Sequence, residues 1–340
     1  MASYRCTACG SFLILESLTC PRCGVAVGFH RPSLTFAVLA DDLAVVIDGE
    51  EFHACSQRGW QCNWLVGESE RSGRCFSCRL TRRAPALDDT IALEKLADTK
   101  IAKRRLLVQL FQLGLPVTPY HEKEGGLAFD LLSSRSTGER VTIGHANGVI
   151  TIDLAETLDA HRERLRVQLG EPYRTMLGHL RHEVGHYYQN VLVSDWDECR
   201  ALFGDERASY RDAIDRHYRT GAPDDWRESF ISEYATMHPW EDFAECFAHY
   251  LHITGTLHTS ARAGLELVAS HAEEVMASVV PRLDYADADM RTVLDDWDLI
   301  ATFFNQVNRS MGHRPLYPFV INDVVATKLT YIHRLITGHA

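Results

Sequence analysis

The stretch Arg181-His-Glu-Val-Gly-His-Tyr-Tyr188 decides how the rest of this chain is read. It holds an H-E-x-x-H pattern made by His182, Glu183 and His186. In a helix the two histidines lie four residues apart, so both imidazoles project from one face about one turn apart. That spacing lets them hold one metal ion in common. Glu183 stands beside the first of them, where it can reach a water at that metal.

Two histidines do not complete a catalytic zinc site. A third protein ligand is needed, with the fourth position left to water. The best source is Pro239-Trp-Glu-Asp-Phe-Ala-Glu-Cys-Phe-Ala-His-Tyr250. Glu241 and Glu245 are four apart and share a helix face. Glu241 can ligate the metal, and Glu245 can accept the free ring N–H of a ligating histidine and fix its tautomer. The competing reading is an exposed acidic helix face. Against it, both carboxylates interrupt an apolar run, and a buried carboxylate needs a charge partner such as a metal.

Neighbouring groups read differently. His179, one turn before His182, reads as a buried histidine or one that supports the site from behind, rather than as a ligand. His238 sits at a helix entrance and can line the cleft. His249 lies two turns beyond Glu241, too far for the same ion. Cys246 points about 140° away from Glu241 around the helix and reads as a core thiol. Cys199 reads as inert.

Eight of the ten cysteines lie in the first 78 residues. Cys6-x-x-Cys9 and Cys20-x-x-Cys23 are two knuckles that together complete a tetrahedral four-cysteine zinc site, a zinc ribbon. So short a segment buries too little apolar surface to fold alone, so the metal supplies its folding energy. Cys55, Cys62, Cys75 and Cys78 make a second four-cysteine zinc site, although only Cys75-x-x-Cys78 has standard knuckle spacing. His53 can replace one of its ligands, and some of these thiols can instead be merely buried. Trp60 and Trp64 are expected to pack around the site as a small core. The arginines at 71, 74, 79, 82 and 83 permit nucleic-acid contact, but a solvated basic face is the commoner reason for such a run.

The totals agree with a soluble protein of about two domains. The chain has 340 residues, 46% apolar and 24% charged. A net charge of −11 argues against general nucleic-acid binding. No apolar run approaches 18 residues, so no membrane span is expected. Ten cysteines with no apolar signal core at the start point to a reducing cytoplasm, where paired cysteines bind metal more often than they form disulfides.

Thr81–Ala86 reads as a linker between residues 1–84, a zinc-ribbon module, and residues 85–340. A helix is expected over 88–113, capped by Asp88 or Asp89 and stopped by Gly114 and Pro116. Strands are expected over 127–133 and 140–154, with Asn147-Gly148 as a hairpin turn. Helices are expected over 157–168, 172–193, 206–219, 225–235, 239–253, 263–279, 288–311 and 321–337. The fold class is α+β: a small zinc-ribbon module followed by a mostly helical domain with a short sheet.

At these residues the chain resembles the bacterial zinc-binding metallopeptidases that carry an N-terminal zinc ribbon. The resemblance covers nearly the whole chain. It is carried by the double knuckle, Cys-Asn-Trp-Leu-Val at 62–66, Gly-His-Ala-Asn-Gly-Val-Ile-Thr-Ile at 144–152 and Gly-Glu-Pro-Tyr-Arg-Thr at 170–175. It continues in His-Pro-Trp-Glu-Asp-Phe-Ala-Glu at 238–245, Asn-Arg-Ser-Met-Gly at 308–312 and Tyr-Pro-Phe-Val at 317–320. The family looks like a gluzincin branch with a zincin-like fold. The resemblance implies Glu241 as third ligand and Glu245 as the acidic residue one turn later. The same segment is similar to the active helix of lethal-factor-type peptidases, where a tyrosine seven residues before the ligand glutamate faces the zinc. Tyr234 stands at that position, although a core tyrosine would also suit it.

The expectation is a zinc-dependent peptidase with one catalytic and two structural zinc ions. Glu183 would be general base, and Tyr234 or, less well placed, His238 would donate to the oxyanion. By analogy with zincin edge strands, the strand around 149–154 would bind an extended peptide, provided its edge is open. The rival is a non-catalytic zinc-stabilised adaptor that binds protein or nucleic acid through its ribbon. Glu183 discriminates between them, because a structural site needs no general base. A peptidase whose ribbon recruits a protein partner or substrate combines the two.

Overall fold

The computed structural model describes residues 4–70, 72–137, 141–154, 175–269 and 277–338. The chain divides into two units, residues 1–112 with 116–158, and residues 113–115 with 159–340. The class is mixed α+β, with a cysteine-rich N-terminal region followed by mostly helical structure.

In the first unit, β1 (Val27–His30) pairs antiparallel with β2 (Thr35–Val38). A meander follows, of β3 (Ala44–Ile47), β4 (Glu50–Ala54) and β5 (Leu65–Gly67). Asp48 and Gly49 both have positive φ, 52° and 83°, the two-residue turn whose twist suits a hairpin. Phe29 bridges to Trp64 and packs edge-on against Phe36 with ring centroids 5.5 Å apart. Trp64 is fully buried, as expected, but Trp60 is 40% exposed and belongs to no core. Trp60 ends a 3-10 turn that carries no buried residue, so it has nothing to pack against on that side.

A short helix α1 (Phe76–Arg79) leads into β6 (Thr81–Arg83). The expected linker is therefore part of a sheet. Arg82 forks onto Asp130 through two hydrogen bonds, 3.1 and 2.8 Å, and Phe129 donates its N–H to the Leu80 carbonyl. The sheet continues with β7 (Ala128–Leu132), β8 (Gly144–Ala146) and β9 (Val149–Asp153), in the order β6-β7-β9-β8. Asn147 and Gly148, at φ 46° and 80°, make the expected hairpin turn. The strand around 149–154 is not an edge. β9 pairs parallel with β7 over its whole length and antiparallel with β8 on its other side. It has no open edge for a peptide along Val149–Thr151, because its own hairpin partner occupies it. Between these elements run α2 (Thr90–Gln112) and the one-turn α3 (Ser134–Thr137). Asp89 caps α2 by accepting from the Ala92 N–H at 3.0 Å.

The second unit is helical: α4 (Met176–Leu192), α5 (Trp196–Phe203), α6 (Tyr210–Thr220), α7 (Pro239–Ala263), α8 (Met290–Ser310) and α9 (Asp323–Thr337). Side-chain caps start each of them: Thr175, Asp195, Ser209, His238, Asp289 and Asn322 accept backbone N–H groups of the first turn. The apolar faces of α4 and α7 meet through Tyr188, Phe243 and Phe247, all fully buried. A buried ion pair, Lys328 Nζ to Asp242 Oδ2 at 2.6 Å, ties α9 to α7.

Four expectations change here. α7 runs ten residues past the expected end at 253 and stops at Gly264 in the left-handed region. α5 was not expected. Residues 225–235 do not form a helix but two 3-10 turns, Trp226–Glu228 and Tyr234–Thr236. Side chains take the backbone groups a helix would use: Lys328 Nζ binds the Ser229 carbonyl, and Ser232 Oγ accepts the Ala235 N–H. The helix expected over 263–279 is not seen at its described ends: Ala263 closes α7, and Leu267 pairs antiparallel with Val279. The expected helix 157–168 lies outside the described residues. Among the described residues, no helix is long and apolar enough to cross a membrane.

Candidate metal centre

Thr175 caps α4 through its hydroxyl, which accepts the Gly178 N–H at 3.0 Å. That start places His182 and His186 one turn apart, facing α7. Their approach depends on Gly185. A Cβ there would lie 2.8 Å from the Ala244 Cα and 3.2 Å from the Phe247 Cβ, closer than real side chains pack. Gly185 thus lets the helix backbones touch where the histidines and glutamates must meet. Gly185→Ala is expected to cost about 1–3 kcal/mol of stability through overpacking. A shift of the urea midpoint together with loss of zinc would show both consequences of pushing the helices apart.

Glu241 comes from the first turn of α7, where the helix N-terminus favours an anion. Its Oε2 lies 2.8 Å from His182 Nε2 and 3.4 Å from His186 Nε2. On the far side of the ring, His182 Nδ1 lies 2.7 Å from Glu245 Oε1. Glu245 is itself held by Ser232, whose hydroxyl donates to Oε2 at 2.6 Å. The ring of His186 stacks on Trp240 with centroids 5.1 Å apart and planes within 11°. The Nε2 atoms of both histidines and one Glu241 oxygen thus converge, all within 4.8 Å of one another.

The electrostatics follow from burial and charge. Burial raises the Glu241 carboxyl, but the two histidines beside it hold it well below its usual value. Burial opposes charge on His182, yet Glu241 and Glu245 keep its pKa well above the usual histidine range. Glu183 is buried, and its Oε1 is 3.1 Å from His179 Nε2. Burial raises Glu183, but His179, His182 and His186 bring it below its usual value, so it is ionised and able to accept a proton. Its other oxygen, Oε2, is buried with no hydrogen-bond partner among the described residues.

The other groups are placed plainly. Tyr234 opens the 3-10 turn ahead of α7, and its ring centroid is 5.7 Å from that of His182. His238 is spent on structure: its Nδ1 caps Trp240 N–H and its Nε2 donates to the Ala208 carbonyl. His249 is turned to the Tyr317 hydroxyl at 2.6 Å and away from the ion site. Cys246 reaches Asp242, and Cys199 accepts from Gln189, both in the core.

Both four-cysteine groups are gathered as expected. Sulfurs at the corners of a tetrahedron with Zn–S bonds of about 2.3 Å lie about 3.8 Å apart. In the first group Cys6–Cys23 is 3.7 Å and Cys9–Cys20 is 3.6 Å. In the second, Cys62 is 3.5 Å from Cys75 and 3.6 Å from Cys78, with Cys55 completing the set. These spacings fit zinc. His53 takes no part; its side chain is 48% exposed beside Glu51. Part of the basic stretch is engaged locally: Arg74 donates to the Cys78 carbonyl, Arg79 pairs with Glu70 at 2.8 Å and Arg82 with Asp130.

Residues 92–335 match the family "Putative zinc-binding metallo-peptidase", and residues 3–89 match a zinc-ribbon domain. The chain belongs to this zinc-binding metallopeptidase family. Relatives of this chain include an uncharacterized protein of Mycobacterium bovis and one from each of two strains of Mycobacterium tuberculosis. Each is 44% identical over 341 residues, covering 99% of this chain and 95% of its own length. No solved structure matches.

Two groups of the metallopeptidase site escape a reading of the sequence. Tyr210, at the start of α6, donates its hydroxyl to Glu241 Oε1 at 2.7 Å. Burial and the Glu241 carboxylate push this phenol upward, so it stays protonated. Ser232 is the second. Neither stands at a helical spacing from a ligand, and no local signal points to them.

Proposed function

We propose that this metallopeptidase hydrolyses peptide bonds at a zinc held by His182, His186 and Glu241, in the gluzincin manner. The observation that carries the reading is Glu183 Oε2, a buried carboxylate oxygen that has no hydrogen-bond partner among the described residues and lies beside the three donors. A purely structural zinc has no use for such a group, and leaving it unsatisfied costs stability. Zinc there supplies a Lewis acid that polarises a carbonyl and acidifies water.

The chain's own residues do the rest. Glu183 takes the proton of the attacking water and passes it to the leaving amine, while His179 holds its other oxygen. Glu245, steadied by Ser232, fixes the His182 ring with Nδ1–H toward the carboxylate, so that Nε2 is the ligating atom. Tyr234 supplies the hydroxyl for the oxyanion, a role for which His238 has no free ring nitrogen. We assign residues 1–84 to the ribbon module and 85–340 to the peptidase domain as family segments, supported by the family matches meeting between 89 and 92, while the compact units divide near residue 158. The ribbon with its two four-cysteine zinc ions is structural in this reading, and the enzyme works in the reducing cytoplasm on peptide or protein substrates.

Glu241→Ala is expected to remove one zinc of about three, with both cysteine-bound ions retained. Elemental analysis that finds undiminished zinc in that variant rejects the ligand assignment. Cleavage of a mixed peptide library that stops under mild chelation, before the cysteine-bound zinc is lost, supports the enzyme over the adaptor. Absence of chelator-sensitive cleavage from the fully loaded protein favours the adaptor.

A further inference from the structure

We propose that Tyr210 is a positioning residue of the zinc site, whose hydroxyl holds one oxygen of Glu241 so that the other stays turned to both histidines. The inference rests on the reading that zinc sits on His182, His186 and Glu241.

The Glu241 carboxylate is 2% exposed, and burial on that scale requires a partner for each oxygen. Its two oxygens have divided tasks. Oε2 faces the two Nε2 atoms, and Oε1 is taken by the Tyr210 hydroxyl at 2.7 Å. A phenol donor at that distance fixes the plane of the carboxylate and leaves Oε2 to the ion.

Packing alone does not account for Tyr210. Its ring meets that of His238 edge-on at 5.3 Å, but the residue is 41% exposed and its hydroxyl is turned to Glu241. Nor does the hydroxyl hold α6 in position alone. The His238 ring donates to the Ala208 carbonyl at 3.0 Å, Arg216 donates to the Met237 carbonyl at 3.3 Å, and Ser209 caps the helix. These contacts dock the segment on the start of α7 independently. Removal of one oxygen atom from Tyr210 therefore tests the bond to Glu241 with the fold left standing.

The experiment measures zinc affinity at equilibrium against a graded chelator in the full chain. The variants are Tyr210→Phe, Tyr234→Phe and Glu241→Ala. The zinc ions of the two four-cysteine groups serve as an internal reference. Tyr210→Phe is expected to weaken the single labile zinc by about ten- to a hundred-fold, the usual effect of losing a group that orients a ligand, with the cysteine-bound zinc unchanged. Tyr234→Phe is expected to leave zinc affinity near wild type. Wild-type affinity in Tyr210→Phe, with zinc lost in Glu241→Ala, overturns the role of Tyr210 and leaves the site intact. Undiminished zinc in Glu241→Ala instead overturns the site reading itself. A general loss of zinc from all three positions, or an unfolded chain, makes Tyr210 a structural residue and also overturns the proposal.

Discussion

Glu183→Gln is expected to keep about three zinc ions per chain and to lose about a hundred- to ten-thousand-fold in kcat, the usual contribution of a general base. The substitution changes one atom. A glutamine oxygen can still accept from His179, which occupies Oε1 at 3.1 Å, so the side chain keeps its place. The amide nitrogen that replaces Oε2 cannot take a proton. Zinc content should hold because Glu183 is not among the three converging donors. The test is the cleavage rate of one confirmed peptide substrate beside elemental analysis of the same sample. A variant that cleaves at the wild-type rate sinks the mechanism, and one that loses zinc makes Glu183 a ligand or a fold residue instead.

The second large effect is expected from Cys75→Ser. Four thiolates on a divalent ion carry a net charge of about −2, and this group is fully buried. Helix α2 sends Lys100, Lys103 and Arg104 inward in the same unit, at 6%, 1% and 2% exposure. Burial lowers the Lys103 ammonium to about 8, and the charge of Cys78 and Cys75 works against that fall. Lys103 also donates to the Ser77 carbonyl at 2.7 Å and to the Thr81 hydroxyl. Ser77 lies between two of the cysteines, and Thr81 opens β6. Loss of this zinc strands the cations as well as the thiolates. Removal of one partner of a buried charge cluster costs about 3–5 kcal/mol, beyond the folding energy of the metal itself.

Cys75→Ser should therefore unfold the first unit, read as fast amide exchange over residues 4–154. Cys9→Ser should cost less, because the first group includes an exposed cysteine, Cys23, and a half-buried one, Cys9. Lys103→Met should destabilise the intact protein yet be neutral or stabilising in the Cys75→Ser background. Equal damage from Cys9→Ser and Cys75→Ser, or no coupling with Lys103, shows that the cations are not compensating the second site.

The local features of the site were legible because they obey spacing rules. His182 and His186 are one turn apart, Glu241 and Glu245 are one turn apart, and each pair needs only a helix to align it. Asn147-Gly148 likewise carries its own turn geometry. What escaped depends on chain brought from elsewhere. Tyr210 reaches Glu241 across 31 residues, and Ser232 reaches Glu245 from a segment whose apolar spacing reads as helix. That helix fails because Lys328, 99 residues away, captures the Ser229 carbonyl. The strand at 149–153 was readable as a strand, but its place inside the sheet depends on which segments lie beside it. Thr81–Arg83 looked like a linker because a Pro follows shortly, whereas its neighbour Asp130 makes it a strand.

Helix α7 carries two buried acidic residues, Glu241 and Asp242, and a half-buried one, Glu245, in little more than one turn. Glu241 and Glu245 face α4, about 40° apart around the axis, and Asp242, about 100° from Glu241, is locked to Lys328. A helix anchored on two faces cannot roll. A single inserted or deleted residue between His238 and Asp242 would swing every carboxylate by about 100°, leaving Lys328 and both histidines facing the wrong groups at once. This stretch therefore tolerates substitution far better than any change in length.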